Sequence, residues 1–375
     1  MRVALLPDFA EEGWPSMDLC AEMLSAHWPA DVGTLTRLAP PFVRLATQLP
    51  VVGRSRTAFN ADRTFNRYAH YPRFARRIAD DFDAVHIADH SYAALVNAVP
   101  AGRAGVTVFD LDAFRCLLDP AADPRPRWFL ALTRRTLAGV QRAAAVFVVS
   151  QVVGEQLRAT GLIDPARIRY APAGVAPEFT PVAAEPPPAW LATLAGMPWV
   201  AHVGSCVPRK RIDVLLEVVA RLRPQLPGLR LVKVGGTFAP AHHAQIARHR
   251  LADAILHVHN LSRSELATVY RAAPAVLQTS DAEGFGLPVI EALACGAAVV
   301  ASDLPVLREV GGPCATYAPA GATDAWEAAV HGVLTRARPP AERAAAVAWA
   351  AQFTWPRHAA AVAAGYRELV GPRCG

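Results

Sequence analysis

The chain lacks an uninterrupted apolar run of about 18 residues, so no helix of it is expected to span a bilayer. Its six cysteines, Cys20, Cys116, Cys206, Cys295, Cys314 and Cys374, include no Cys-x-x-Cys pair. They read as reduced, mostly buried thiols of a cytoplasmic protein rather than as a disulfide framework. Basic residues form no single dense run, which argues against nucleic acid as a partner. The chain opens directly on the strand-like Arg2-Val-Ala-Leu-Leu6, leaving no room for a signal peptide. What is present is a 375-residue chain with 53% hydrophobic and 19% charged residues, enough for two buried cores. A net charge of +6 favours an anionic partner such as a nucleotide or a phospholipid surface.

Both halves alternate short β-branched runs with longer helical patterns, the mark of parallel sheets covered by helices. Expected strands in the first half are 2–6, 84–88, 105–109, 145–149 and 168–170; in the second they are 199–203, 229–234, 255–258, 275–278 and 297–301. Ile212, Leu215, Leu216, Val219 and Leu222 recur at helical spacing, and Ser262-Arg-Ser-Glu265 reads as a capping box. Residues 176–188, ending in three consecutive prolines, read as the linker between the halves. The expected domains are 1–178 and 179–355, with a last helix in 356–375 packing back towards the first domain. Open parallel sheets bind ligands beyond the carboxyl ends of their strands. Two such domains facing a cleft suit a donor on one side and an acceptor on the other.

The most informative stretch is Asp281-Ala-Glu-Gly-Phe-Gly-Leu-Pro-Val-Ile-Glu-Ala-Leu-Ala-Cys-Gly296. It sets Glu283 on a glycine-rich turn and Glu291 on the helix that Pro288 opens and Gly296 ends. A helix N-terminus between two free carboxylates combines attraction for phosphate with groups that grip vicinal hydroxyls. A sugar nucleotide offers both chemistries.

This block resembles the E-x7-E motif of retaining GT-B glycosyltransferases of family 4, including the Gly-Phe-Gly-Leu-Pro between the glutamates. Val203-Gly-Ser-Cys-Val-Pro-Arg-Lys-Arg211 resembles that family's diphosphate-binding loop, and Ser150 with 168–175 resembles the end of its first domain. The resemblance implies an α/β GT-B fold of two Rossmann-like domains. Glu283 would contact hydroxyls of the transferred sugar, helped by the N–H groups of Phe285 and Gly286, with Leu287 beside them. Glu291 would hold the ribose. Arg209 and Lys210 would neutralise the departing diphosphate, and Gly13, Gly204 and Ser205 would approach it. The base would lie between the loop holding Gly235 and Gly236 and the loop 257–261. No cofactor and no metal is implied, the Arg-Lys pair supplying the positive charge; the departing phosphate itself would help take the acceptor proton.

Departures from the family pattern include Ser205 in place of an arginine, Ala173 in place of an asparagine, and Phe109 in place of a histidine near the sugar. His90, in Asp89-His-Ser-Tyr92, ends a neighbouring strand and is the candidate to face the cleft instead, the other reading being a structural histidine. His242, His243, His249, His257 and His259 cluster in sequence but lack spaced acidic or cysteine partners, which argues against a metal site. Seven arginines between Arg54 and Arg77 interleave with Phe59, Phe65, Tyr68, Tyr71 and Phe74. That mixture suits a membrane interface or a lipid-linked acceptor, or else an ordinary insertion covering the first sheet. The expected activity is transfer of a hexosyl group, mannose preferred, from a GDP- or UDP-sugar to a saccharide or lipid-linked saccharide in bacterial polysaccharide or glycoconjugate assembly. The protein is expected to be cytoplasmic, its residues 54–77 offering a peripheral contact with the inner face of the plasma membrane. A sugar-nucleotide epimerase and a non-catalytic partner subunit of the same fold are the alternatives.

Overall fold

The computed structural model describes residues 1–51, 53–183 and 186–371. Cys374 lies outside them, as do Ala184 and Glu185 of the expected linker. Short runs such as Val-Ala-Leu-Leu and Ala-Val-Phe-Val are buried on both faces, as strands of a helix-covered parallel sheet must be. Six strands make the first sheet: β1 (Arg2–Leu6), β2 (Thr34–Arg37), β3 (Ala84–Ile87), β4 (Ala104–Val108), β5 (Ala145–Val148) and β6 (Ile168–Tyr170). They pair in parallel in the order β2-β1-β3-β4-β5-β6, with Val3 opposite Ala84 and Val106 opposite Val146. The second sheet holds β7 (Trp199–Val203), β8 (Arg230–Val234), β9 (Ile255–Val258), β10 (Ala275–Gln278), β11 (Val299–Ser302) and β12 (Thr316–Ala318). Its order is β12-β11-β10-β7-β8-β9, again all parallel.

Packing divides the chain into two units. One runs from Met1 to Gly174 and includes the segment beginning at Trp355; the other is Val175–Thr354. The helix Trp355–Val370 lies on the first sheet, its Ala359, Val362 and Tyr366 packed with Val3, Leu5 and Phe147. Gly105 is required there, because a Cβ on it would fall 2.4 Å from the Tyr366 hydroxyl. In the second unit the helix Ile212–Leu222 buries Leu215, Leu216, Val219 and Leu222 against Trp326 and Val330.

The expected linker is largely not a tether. Val175 N–H donates to the Phe353 carbonyl at 3.0 Å, and Phe179 packs on Tyr270 with ring centroids 5.8 Å apart. Glu178 pairs with Arg263 at 2.9 Å, so this segment is fixed to the second unit by a helix that Ser262 and Glu265 cap reciprocally.

His86 of β3 is wholly buried between the Tyr366 hydroxyl at 2.9 Å and the Thr107 hydroxyl at 3.0 Å. Burial, with the His358 charge, pushes its pKa from 6.5 down to about 3, and burial pushes His358 down to about 4. Both fold as neutral rings but protonate near 6.5 once unfolded. Stability is therefore lost as pH falls below 6.5, by up to about 1.4 kcal/mol per pH unit for each ring. Urea unfolding of the wild type and of His358→Gln between pH 7 and pH 5 checks this: the variant loses less stability, and equal losses would contradict the assignment.

Candidate functional site

In the second sheet the strand order reverses between β7 and β10, so the loops leaving their carboxyl ends diverge and open a crevice. These loops are 204–211 and 279–286. The first ends in Arg211, held at a left-handed φ of 47° that a non-glycine residue adopts only when its surroundings fix it. Here the guanidinium is clamped by Asp213 at 2.9 Å and Asp281 at 3.0 Å. The two loops are also tied by Asp281 N–H to the Arg209 carbonyl at 2.7 Å and by the Thr279 hydroxyl to the Lys210 carbonyl at 2.9 Å.

The ties bring four side chains onto one carboxylate. Lys210 Nζ is 2.5 Å from Glu283 Oε1, and Arg209 Nη1 is 3.1 Å from Oε2. Ser280 Oγ donates to Oε1 at 2.6 Å, and Gln278 Nε2 donates to the same oxygen. The Glu283 side chain is only 5% exposed. Burial alone would push its carboxyl up; the Lys210 and Arg209 charges outweigh burial and hold it below the usual glutamate value. The free carboxylate expected from the spacing is therefore a paired one, because a carboxylate this buried must be. The two cations expected on a diphosphate rest on Glu283 instead.

Gly286, at φ 97°, turns the chain into the helix Leu287–Ala294, and a Cβ there would fall 2.7 Å from Leu307. Phe285 is buried edge-on to Phe353, centroids 5.8 Å apart, which fixes the peptide that precedes the helix. Glu291, on that helix, is buried and accepts the Tyr270 hydroxyl at 3.0 Å. Burial, with the nearby Glu178 charge, lifts its carboxyl to about 7 against the opposing Tyr270 hydrogen bond and Arg263 charge.

The first unit has its own point of reversal, between β1 and β3, and a second buried polar cluster collects there. Glu12, its side chain 1% exposed, receives Arg63 Nε at 2.8 Å, Arg67 Nε at 2.7 Å and the Tyr92 hydroxyl. Arg67 stands 4.2 Å from the centroid of the Tyr92 ring and is carried by a π-helical turn, Asn66–His70. Arg63 and Arg67 thus point inward, whereas Arg54, Arg56, Arg73, Arg76 and Arg77 are exposed. Asp8 is 4% exposed, and no N–H or O–H of the described residues reaches either of its oxygens. Burial first, and the Asp89 charge second, push its carboxyl well above the usual range. It lines a cavity of about 380 Å³ with Phe9, Arg37, Pro40 and Phe42, beyond the ends of β1 and β2.

His90, at the end of β3, lies between Asp89 at 2.9 Å and Asp110 at 3.6 Å. Burial opposes its charge, but the two aspartates prevail and raise it to about 10. The flanking aspartates thus favour the charged ring and make it a poor base at neutral pH. Two Asp-x-Asp stretches exist, Asp81–Asp83 and Asp110–Asp112. Among the described residues no three His, Cys, Asp or Glu side chains gather as a metal site.

Residues 195–346 match the family model described as glycosyl transferases group 1, and residues 17–179 match the model of Glycosyltransferase Family 4. The chain belongs to the family 4 glycosyltransferases. It is 34% identical over 247 residues to the D-inositol 3-phosphate glycosyltransferase of Mycobacterium marinum (62% of this chain, 52% of the relative), and so spans about half the length of that relative. With the corresponding enzyme of Mycobacterium leprae it is 33% identical over 287 residues, 66% of each chain. Among solved structures it is similar to Anabaena HepE in complex with UDP and glucose (TM-score 0.72, 17% identity, 97% and 98% coverage). It is also similar to the UDP-forming trehalose-phosphate synthase of Burkholderia xenovorans in complex with glucose-6-phosphate (TM-score 0.73, 16% identity, 99% and 100% coverage). These likenesses are to GT-B folds.

For this family 4 chain the structure brings Arg209, Lys210 and Glu283 together and sets Glu291 on the following helix. Gly13 is an exposed left-handed residue closing a turn of the first unit, and Ala173 is buried. Reading the sequence missed Gln278, Ser280 and Tyr270 behind the glutamates, and Asp8, Glu12, Arg67 and Tyr92 in the first unit. The stretch Asp8-Phe-Ala-Glu-Glu-Gly13 was the available signal, since two of its three acids become buried.

An apo carboxyl raised from 4.5 to about 7 lowers stability as pH rises through that interval, because the unfolded glutamate ionises first. Glu291→Gln is therefore expected to stabilise the unliganded protein by about 2–3 kcal/mol at pH 8 and to change little at pH 4.5. Denaturation curves at both pH values check it; an equal effect at each would refute the buried, ionisable Glu291.

Proposed function

We propose that the protein is a retaining glycosyltransferase that moves a hexosyl group from a nucleoside-diphosphate sugar to a hydroxylated acceptor without a metal. The observation that carries this reading is the Lys210–Glu283–Arg209 assembly at the reversal of the second sheet. On donor binding, the diphosphate takes over Lys210 and Arg209, since a polyanion satisfies both cations. Glu283 is thereby released to accept hydroxyls of the sugar, while Glu291 accepts those of the ribose. The bond from the anomeric carbon to the phosphate oxygen breaks, and a bond to the acceptor oxygen forms on the same face. The acceptor proton passes to the departing phosphate. Arg209 and Lys210 stabilise the charge that develops there, the task a metal performs elsewhere.

The Pro208-Arg209-Lys210 loop alone favours GDP-mannose. The similar proteins named with UDP favour a UDP-sugar, and that is the donor we adopt. The acceptor is a saccharide or polyol selected by the first unit. Supporting this is the cavity beyond β1 and β2, lined by the exposed Arg37. Relatives named for inositol 3-phosphate, or solved with glucose-6-phosphate, favour a small phosphorylated acceptor over a lipid-linked one. The exposed arginines of the segment 54–77 keep a peripheral membrane contact as a further proposal. His90 serves as a fixed cation beside the acceptor.

Glu283→Gln is expected to lower transfer by about 10²–10³-fold while leaving UDP affinity unchanged or improved, because it frees two cations. Lys210→Met weakens UDP by about tenfold or more and uridine hardly at all. Turnover with UDP-hexoses in EDTA, and calorimetry with UDP and uridine, are the measurements; normal transfer by Glu283→Gln refutes the site.

A further inference from the structure

Lys233 is the largest polar side chain of the second core, wholly buried in β8 of a parallel sheet. A buried ammonium must find acceptors, and this one finds three, all of them main-chain carbonyls. Its Nζ donates to Gly204 O at 2.6 Å, Val234 O at 3.1 Å and Gly235 O at 2.6 Å. Two of these carbonyls belong to different loops, one leaving β7 and one leaving β8. The loops touch: Gly236, at φ 61°, could carry no Cβ, which would fall 2.7 Å from Cys206 N and 2.9 Å from Ser205 Cα.

A trans peptide sets each carbonyl opposite the N–H of the next residue. A cation that draws the carbonyls of Gly204 and Gly235 inward therefore turns the N–H groups of Ser205 and Gly236 away from the core. Among the described residues neither N–H donates a hydrogen bond, and Ser205 is exposed. Two outward N–H groups on touching loops, over a buried positive charge, form a concavity for an anion.

We propose that Lys233 is the positioning residue of the diphosphate site, holding the Ser205 and Gly236 N–H groups as a paired donor for the phosphates of the nucleotide. The inference rests on the reading that the second unit binds a nucleoside-diphosphate sugar. It predicts that Lys233 acts on the phosphates and not on the base or ribose, which a merely structural lysine would not do.

Burial pushes the Lys233 pKa from 10.5 down to about 8. Facing it are Cys206 and Lys210 from the loop after β7, with His202, His257 and His242. Burial holds the three histidines below their usual value and pushes the Cys206 thiol up, so none of these four titrates with Lys233. The ammonium is lost as pH rises through about 8, so diphosphate affinity falls in that window.

Calorimetry with UDP and uridine, and with GDP and guanosine, on wild type and Lys233→Met tests this at pH 7. The expected result is a loss of at least tenfold for the diphosphate, with the nucleoside unchanged within about twofold. Equal losses for both, or none, would overturn the proposal. Should the variant fold poorly, the wild type alone decides: diphosphate affinity falls between pH 7 and pH 9 while nucleoside affinity stays level, and parallel profiles would overturn it. A wild type that binds neither diphosphate defeats the functional reading itself, an outcome separate from the other two.

Discussion

The second unit depends on keeping one buried carboxylate charged. Glu283 sits where burial alone would neutralise it, and Lys210 and Arg209 keep it ionised. The loops around it take costly shapes. Arg211 is left-handed with its guanidinium clamped by Asp213 and Asp281, and Gly286 is left-handed where the helix Leu287–Ala294 begins. The result is a charged assembly that is neutral enough to fold yet offers two cations to a stronger anion.

Both sheets place polar clusters at the one point where their strand order reverses, but the clusters differ in kind. In the second unit the charges are matched pairs that a ligand would rearrange. In the first, Glu12 is saturated by Arg63, Arg67 and Tyr92 and is a rigid strut, while Asp8 is a buried acid beside Asp89 at the edge of a cavity. The contrast suits the function we propose, with the donor on the second unit and the acceptor on the first.

Ten strands were legible, eight of them interior strands whose apolar runs, buried on both faces, have few other uses. Two were not. Thr34–Arg37 and Thr316–Ala318 are short edge strands whose side chains are partly exposed, so they lack the apolar pattern that marks the others. The E-x7-E spacing revealed where Glu283 and Glu291 lie but not their partners. Gln278 and Lys233 stand inside strand patterns, where a polar residue reads as an interruption; only the sheet order shows that they underlie the site. The arginine-rich stretch was legible only in part: composition cannot say that Arg63, on an α-helix, and Arg67, on the π-helical turn that follows it, face inward onto Glu12.

The proposed site in this unit holds a nucleoside diphosphate on protein cations alone. Its most direct test is a thermal-shift panel of UDP, GDP and ADP and their hexose conjugates, with EDTA present throughout. The expected result is stabilisation by one nucleotide class, UDP foremost, undiminished by the chelator. No shift with any nucleotide, or a shift that appears only when a divalent metal is restored, would contradict it.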